Sequence, residues 1–149
     1  MRQTTHTRVL WFRFIFFIMA FSKQQRIEIH SKFNGKCAYC GAEIQLKDMQ
    51  VDHIVPKEMF RQGYCGVFMT PEFLSHLTIL DTNHYDNLYP ACRVCNNWKS
   101  QHSLERFRSE LSEQVNRLNS YSSNYRIAKK YGQISETVSP IRFFFENEP

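Results

Sequence analysis

Four cysteines stand in two matched pairs, Cys37-Ala38-Tyr39-Cys40 and Cys92-Arg93-Val94-Cys95. Two C-x-x-C pairs are the spacing of a tetrahedral zinc site, because each turn presents two thiolates about 3–4 Å apart to one ion. With all four ligands from cysteine the coordination shell is closed, so such a metal is structural. Fifty-one residues separate Cys40 from Cys92. Compact zinc ribbons usually have about 15–20 residues between pairs, so something is built between these knuckles. Disulfides and a redox C-x-x-C are the competing readings of the same pairs. Cys65 is left over.

Between and beside the pairs lie Asp52-His53, Asn87 and Asn96. These are residue types that do metal-assisted hydrolysis. Such a reaction needs an activated nucleophile, charge neutralisation at the attacked centre and help for the leaving group. A neutral histidine takes a proton from water. A carboxylate and an amide offer oxygen donors to a hard divalent ion that retains several waters.

The elements that must position these residues are short. Gln24–Phe33 reads as a helix broken by Asn34-Gly35. Gly41 permits the tight turn of the first knuckle. Gln50–Val55 is a strand candidate stopped by Pro56. Thr70-Pro71-Glu72 reads as a helix start, with Phe73, Leu74 and Leu77 on its buried face. Asn87–Pro90 is a second extended segment leading into Cys92. A helix is expected from Asn96, and Trp98 is expected in the core. Ser103 caps a continuation with Leu104, Phe107, Leu111, Val115 and Leu118 on one face. Tyr125–Tyr131 forms further helix ended by Gly132. Ile141–Phe145 is strongly β-prone and reads as a strand or packed tail.

Asp52-His53-Ile54-Val55-Pro56, followed by Asn87-Leu88-Tyr89-Pro90-Ala91-Cys92-Arg93-Val94-Cys95-Asn96-Asn97-Trp98-Lys99, resembles the HNH endonuclease family of phages and bacteria, the ββα-metal nucleases. The resemblance runs from Cys37 to Lys99. With the flanking helices and the C-terminal strand read from the sequence itself, the expected fold is α+β, built on the small ββα-metal core stapled by a four-cysteine zinc that the resemblance implies. The resemblance also implies a DNA endonuclease with His53 as general base and Asp52 and Asn96 holding a catalytic Mg²⁺ or Mn²⁺. Asn87 would brace the hairpin behind His53 rather than bind metal. Asn96 stands where many members have histidine, which favours oxygen-preferring ions. Lys99 is either a contact to a DNA phosphate or an ordinary exposed helix lysine. His76, His84 and His102 have no matching role and read as surface or structural residues. The other class of function is a non-catalytic zinc module that binds nucleic acid or protein.

Composition limits the partners. A hydrophobic share of 42% with 22% charged residues belongs to a folded chain, not a disordered one. The net charge is +5, but Arg2, Arg8 and Arg13 lie in an acid-free beginning. From Ser22 onward 16 basic residues face 14 acidic ones. That balance permits DNA binding without establishing it. Val9–Phe21 is apolar, aromatic and interrupted by Arg13. It is shorter than the roughly 20 residues of a spanning helix, so no stable membrane association is expected. It reads as a dispensable tail or a stretch upstream of a true start at Met19, a packed or surface-lying segment, or a signal or anchor. The expected organisation is a tail over residues 1–21, a nuclease domain over 22–103 and a C-terminal extension over 104–149, in a cytoplasmic protein.

Overall fold

A computed structural model describes residues 21–61, 70–78, 81–137 and 139–147. Cys65 and residues 1–20, on which the readings of the N-terminal tail fall, lie outside the described residues.

The described part opens with α1 (Lys23–Ser31). Ser22 caps it through the Gln25 N–H, and the Gln25 side chain returns the bond to the Ser22 N–H. This reciprocal pair satisfies two of the donors a helix start leaves open. Asn34 and Gly35 then take φ of 49° and 76° and turn the chain, as their types suggest. Gly41 adopts φ of 73°, and a Cβ there would sit 2.8 Å from the Phe144 ring. Glycine is thus required on both conformational and steric grounds.

The sheet has two antiparallel strands, β1 (Gln50–His53) and β2 (Leu88–Ala91), with Asp52 opposite Tyr89 and His53 opposite Leu88. Strand alternation turns the Asp52 side chain inward and gives Val51 and His53 the other face. Pro90 cannot donate to the ladder, but its carbonyl accepts the Ala38 N–H at 2.9 Å and ties the first knuckle to β2.

Among the described residues, three short elements lie between the strands. Helix α2 spans Lys57–Arg61, and single 3₁₀ turns form at Glu72–Leu74 and Tyr85–Asn87. The helix expected at Thr70 is only that one turn. Pro71 takes the capping position without a side-chain bond, and the chain bends at once to bury Leu74 and Leu77. Phe73 stays exposed.

Helix α3 (Arg93–Lys99) begins three residues before Asn96, because the Cys92 sulfur accepts the Cys95 N–H and caps it. Trp98 is exposed, not in the core, since the inward face of this short helix is taken by Lys99. Ser103 caps α4 (Leu104–Ser112) as expected. The long apolar face then divides at Glu113 into α5 (Gln114–Tyr121), which leaves Leu118 exposed. Helix α6 (Ser123–Lys130) ends before Gly132, whose φ is 71°.

The main core gathers Tyr39, Ile54, Val55, Leu74, Phe107 and Phe143. A second cluster of Ile29, Met49 and Leu88 seats α1 on β2. Residues 139–143 form no strand. The Phe144 and Phe145 N–H groups instead donate to Tyr39 and Ala38 carbonyls of the first knuckle, and a 3₁₀ turn follows at Phe144–Glu146. The β-prone run is a packed tail because the knuckle supplies the acceptors a strand partner would. The Phe143 ring stacks on Phe107 with centroids 5.3 Å apart and meets Tyr39 edge-on at 5.4 Å. The Arg108 guanidinium lies 4.5 Å from the Phe143 ring and pairs with Glu146.

The described part is therefore α+β: helices around a two-stranded sheet, with a cysteine cluster at its edge.

Candidate metal centre and catalytic groove

The two knuckles bring Cys37, Cys40, Cys92 and Cys95 together, with all four sulfurs within 4.8 Å of one another. The Cys40 and Cys92 sulfurs are 3.9 Å apart. A zinc ion with Zn–S bonds of about 2.3 Å implies a tetrahedral S···S edge of about 3.8 Å. The cluster therefore fits zinc. The Cys92 N–H donates to the Cys37 sulfur at 3.3 Å and adds backbone support for thiolate charge. The hydrogen bond shared with Cys95, with help from backbone N–H groups, lowers the Cys37 thiol to about 4, while the same bond pushes Cys95 up. Negative charge thus settles first on the most buried sulfur.

Asp52, His53 and Asn96, together with Lys57, Ser100 and Gln101, line one open groove of about 260 Å³. β1 delivers Asp52 and His53 as neighbours in sequence. Helix α3 delivers Asn96 in its first turns, directly after Cys95. The Asn96 amide makes no hydrogen bond among the described residues.

Asn87 does not line the groove. It is wholly buried behind it. Its side-chain oxygen accepts the Val55 N–H at 2.8 Å, and its nitrogen donates to the Val55 and Thr82 carbonyls at 3.1 and 2.9 Å. The Asn87 carbonyl accepts the Ile54 N–H at 2.9 Å. One asparagine thus anchors the two residues that follow His53 and joins them to the segment that enters β2.

His53 is held by a residue the sequence did not single out. Its Nε2 lies 2.9 Å from Asn83 Oδ1. Since a carbonyl oxygen can only accept, Nε2 carries the proton and Nδ1 keeps the lone pair. Burial, followed in effect by the positive charges of Lys57 and Lys99, lowers the His53 pKa to about 4, against the restoring bond to Asn83. The imidazole is neutral at pH 7.

Lys99 departs from both expectations for it. It is completely buried. Its ammonium donates to Asp52 Oδ2 at 3.0 Å and to the His53 carbonyl at 2.7 Å. Positions three apart on a helix share a face, so the turn that aims Asn96 at the groove also carries Lys99 inward. An ammonium so enclosed has no approach to a DNA phosphate. The Tyr39 hydroxyl donates to the same Asp52 oxygen in a short hydrogen bond. Burial pushes the Asp52 carboxyl up and the Lys99 ammonium down, and each partner's charge opposes the other's shift. The Lys99 and Tyr39 contacts of Asp52 therefore both fall on Oδ2. Tyr39 lies inside the first C-x-x-C, and nothing local in the sequence singles it out.

No family model matches the chain, and no curated protein matches it. Among solved structures the chain is similar to the Type II-C Cas9 enzyme from Actinomyces naeslundii, at 19% identity and a TM-score of 0.42. That likeness covers 75% of this chain but spans only 13% of the length of the Cas9 chain.

Proposed function

We propose that the chain is a metal-dependent HNH endonuclease that hydrolyses DNA phosphodiester bonds, with the four cysteines holding a structural zinc. The observation that carries this reading is the convergence of Asp52, a neutral His53 and Asn96 on one groove. Asp52 and Asn96 would hold one Mg²⁺ or Mn²⁺ ion, which supplies charge neutralisation at phosphorus and at the departing oxygen when bound.

His53 accepts a proton from water, and the water oxygen forms a bond to phosphorus. The bond from phosphorus to the 3′ oxygen breaks, and that oxygen takes a proton from solvent. The products carry 5′-phosphate and 3′-hydroxyl ends. Asn83 and the Asn87 brace hold the imidazole and its backbone in place during the transfer. Lys99 serves as a positioning residue, joining Asp52 to the carbonyl of His53.

A second reading follows from the same Asp52 contacts. A carboxylate already paired with Lys99 and hydrogen-bonded by Tyr39 also suits a scaffold, and a non-catalytic zinc module would bind DNA or protein without cutting. Supercoiled plasmid separates the two. Under the nuclease reading, the wild-type protein nicks it in Mg²⁺ or Mn²⁺ and not in chelator, and His53→Ala is silent. Plasmid retention without nicking, unchanged in His53→Ala, supports the module instead.

Among the described residues no helix is long and apolar enough to cross a membrane.

A further inference from the structure

A second group of metal-ligand types lies outside the groove. His76, His84 and Asp86 are all exposed, and one ligand atom from each falls within 4.8 Å of the other two. His76 Nε2 is 3.3 Å from Asp86 Oδ2, and His84 Nδ1 is 3.6 Å from the same oxygen. Bonds of about 2.0–2.1 Å to a tetrahedral ion imply ligand-to-ligand edges of about 3.3–3.4 Å. Two edges of the triangle already lie near that value. The imidazole rings meet edge-on, with centroids 5.8 Å apart.

The local chain explains the convergence. His76 follows the turn at Glu72–Leu74, and Asp81 accepts bonds from the N–H and hydroxyl of Thr78. The Asp81 carbonyl takes the His84 N–H at 2.7 Å. His84 then caps the turn at Tyr85–Asn87, its Nδ1 accepting the Asp86 N–H at 3.3 Å. That bond requires an unprotonated Nδ1, the form that ligates metal, and it is long enough to be exchanged for an ion.

We propose that His76, His84 and Asp86 form a second transition-metal site, of the two-histidine, one-carboxylate kind, that takes Zn²⁺, Co²⁺ or Ni²⁺ with water completing its coordination. Two imidazoles select these ions over Mg²⁺, which prefers oxygen donors. Because the ligands are exposed, the protein contact that binding gives up is the long one from the Asp86 N–H to His84 Nδ1. The ion clasps the segment whose Asn83 holds His53 and whose Asn87 braces β1. The site does not rest on the nuclease reading, since its ligands are separate from the groove.

The test is zinc content after equilibrium dialysis of the tag-free full-length chain at micromolar free Zn²⁺, measured by elemental analysis. Wild type should exceed both His84→Ala and His76→Gln by one equivalent per chain. The same difference should persist in an Asn96→Ala background, where binding in the groove is weakened. Circular dichroism identifies any variant that has lost its fold, and His76→Gln, at an exposed side chain, keeps the comparison available if His84→Ala unfolds. Equal zinc content in wild type and folded His76→Gln overturns the site, whatever the outcome of the plasmid assay.

Discussion

Lys99 offers the sharpest test of the packing beneath the groove. Lys99→Met retains most of the side-chain volume and the stem's contacts but removes the ammonium. It leaves Asp52, only 5% exposed, without its cation, and the His53 carbonyl without its donor at 2.7 Å. Removing one partner of a buried ion pair costs about 3–5 kcal/mol, because the other charge stays buried. A surface lysine would change stability by no more than about 0.5 kcal/mol. The two outcomes are well separated. Urea unfolding of the zinc-loaded protein, followed by circular dichroism, measures the difference. The pH dependence supplies a second signature. Burial already raises the Asp52 carboxyl above its ordinary 3.8, and Lys99 is the main charge holding it down. Without Lys99 the folded-state pKa rises further. A raised folded pKa contributes stability at low pH that is lost as pH rises through it. The penalty of Lys99→Met should therefore be full at pH 7 and shrink towards acid, where Asp52 is neutral. Asp52→Asn combined with Lys99→Met should recover part of the loss at pH 7. A Lys99→Met protein within about 0.5 kcal/mol of wild type at pH 7 would refute the buried pair.

Other expectations follow from the same contacts. Tyr39→Phe keeps the ring among Phe107 and Phe143 but deprives Asp52 of a donor, and should cost about 1–3 kcal/mol in urea unfolding. Gly41→Ala meets the Phe144 ring and a positive φ together, so thermal unfolding should show a loss of more than about 1 kcal/mol. Ser100 holds φ of 47° and ψ of −123° in the turn closed by the His102 N–H, and Ser100→Gly should stabilise by about 1 kcal/mol in the same assay. Because His53 is depressed to about 4, the acid limb of cleavage should fall well below the ordinary 6.5, and a limb centred near 6.5 would contradict its burial.

The parts of this molecule most legible in its sequence are those set by local chemistry. The C-x-x-C pairs, the Asn34-Gly35 break, the Ser103 cap and the short strand before Pro56 all depend on residues close together in the chain. Asp52, His53 and Asn96 were readable as types suited to one groove. Their surroundings depend on contacts distant in sequence. Lys99 gave no sign of burial, since nothing local shows that a lysine faces a strand aspartate forty-seven positions earlier. Tyr39 and Asn83 carry no local signal, since only folding sets them against Asp52 and His53. The tail misled in the opposite direction. Its β-prone run is real, but the knuckle carbonyls at Ala38 and Tyr39 capture its N–H groups before a strand partner can. Trp98 was assigned to the core from its type alone, whereas the short α3 has only one inward face.

The central claim is that His53 activates water for phosphodiester cleavage at this groove. Single-turnover cleavage of plasmid DNA in Mn²⁺, by folded zinc-loaded wild type and His53→Ala, tests it most directly. The account predicts a rate loss of about 10²–10⁴-fold in the variant, with 5′-phosphate and 3′-hydroxyl ends from the wild type. Equal rates from the two proteins would contradict it.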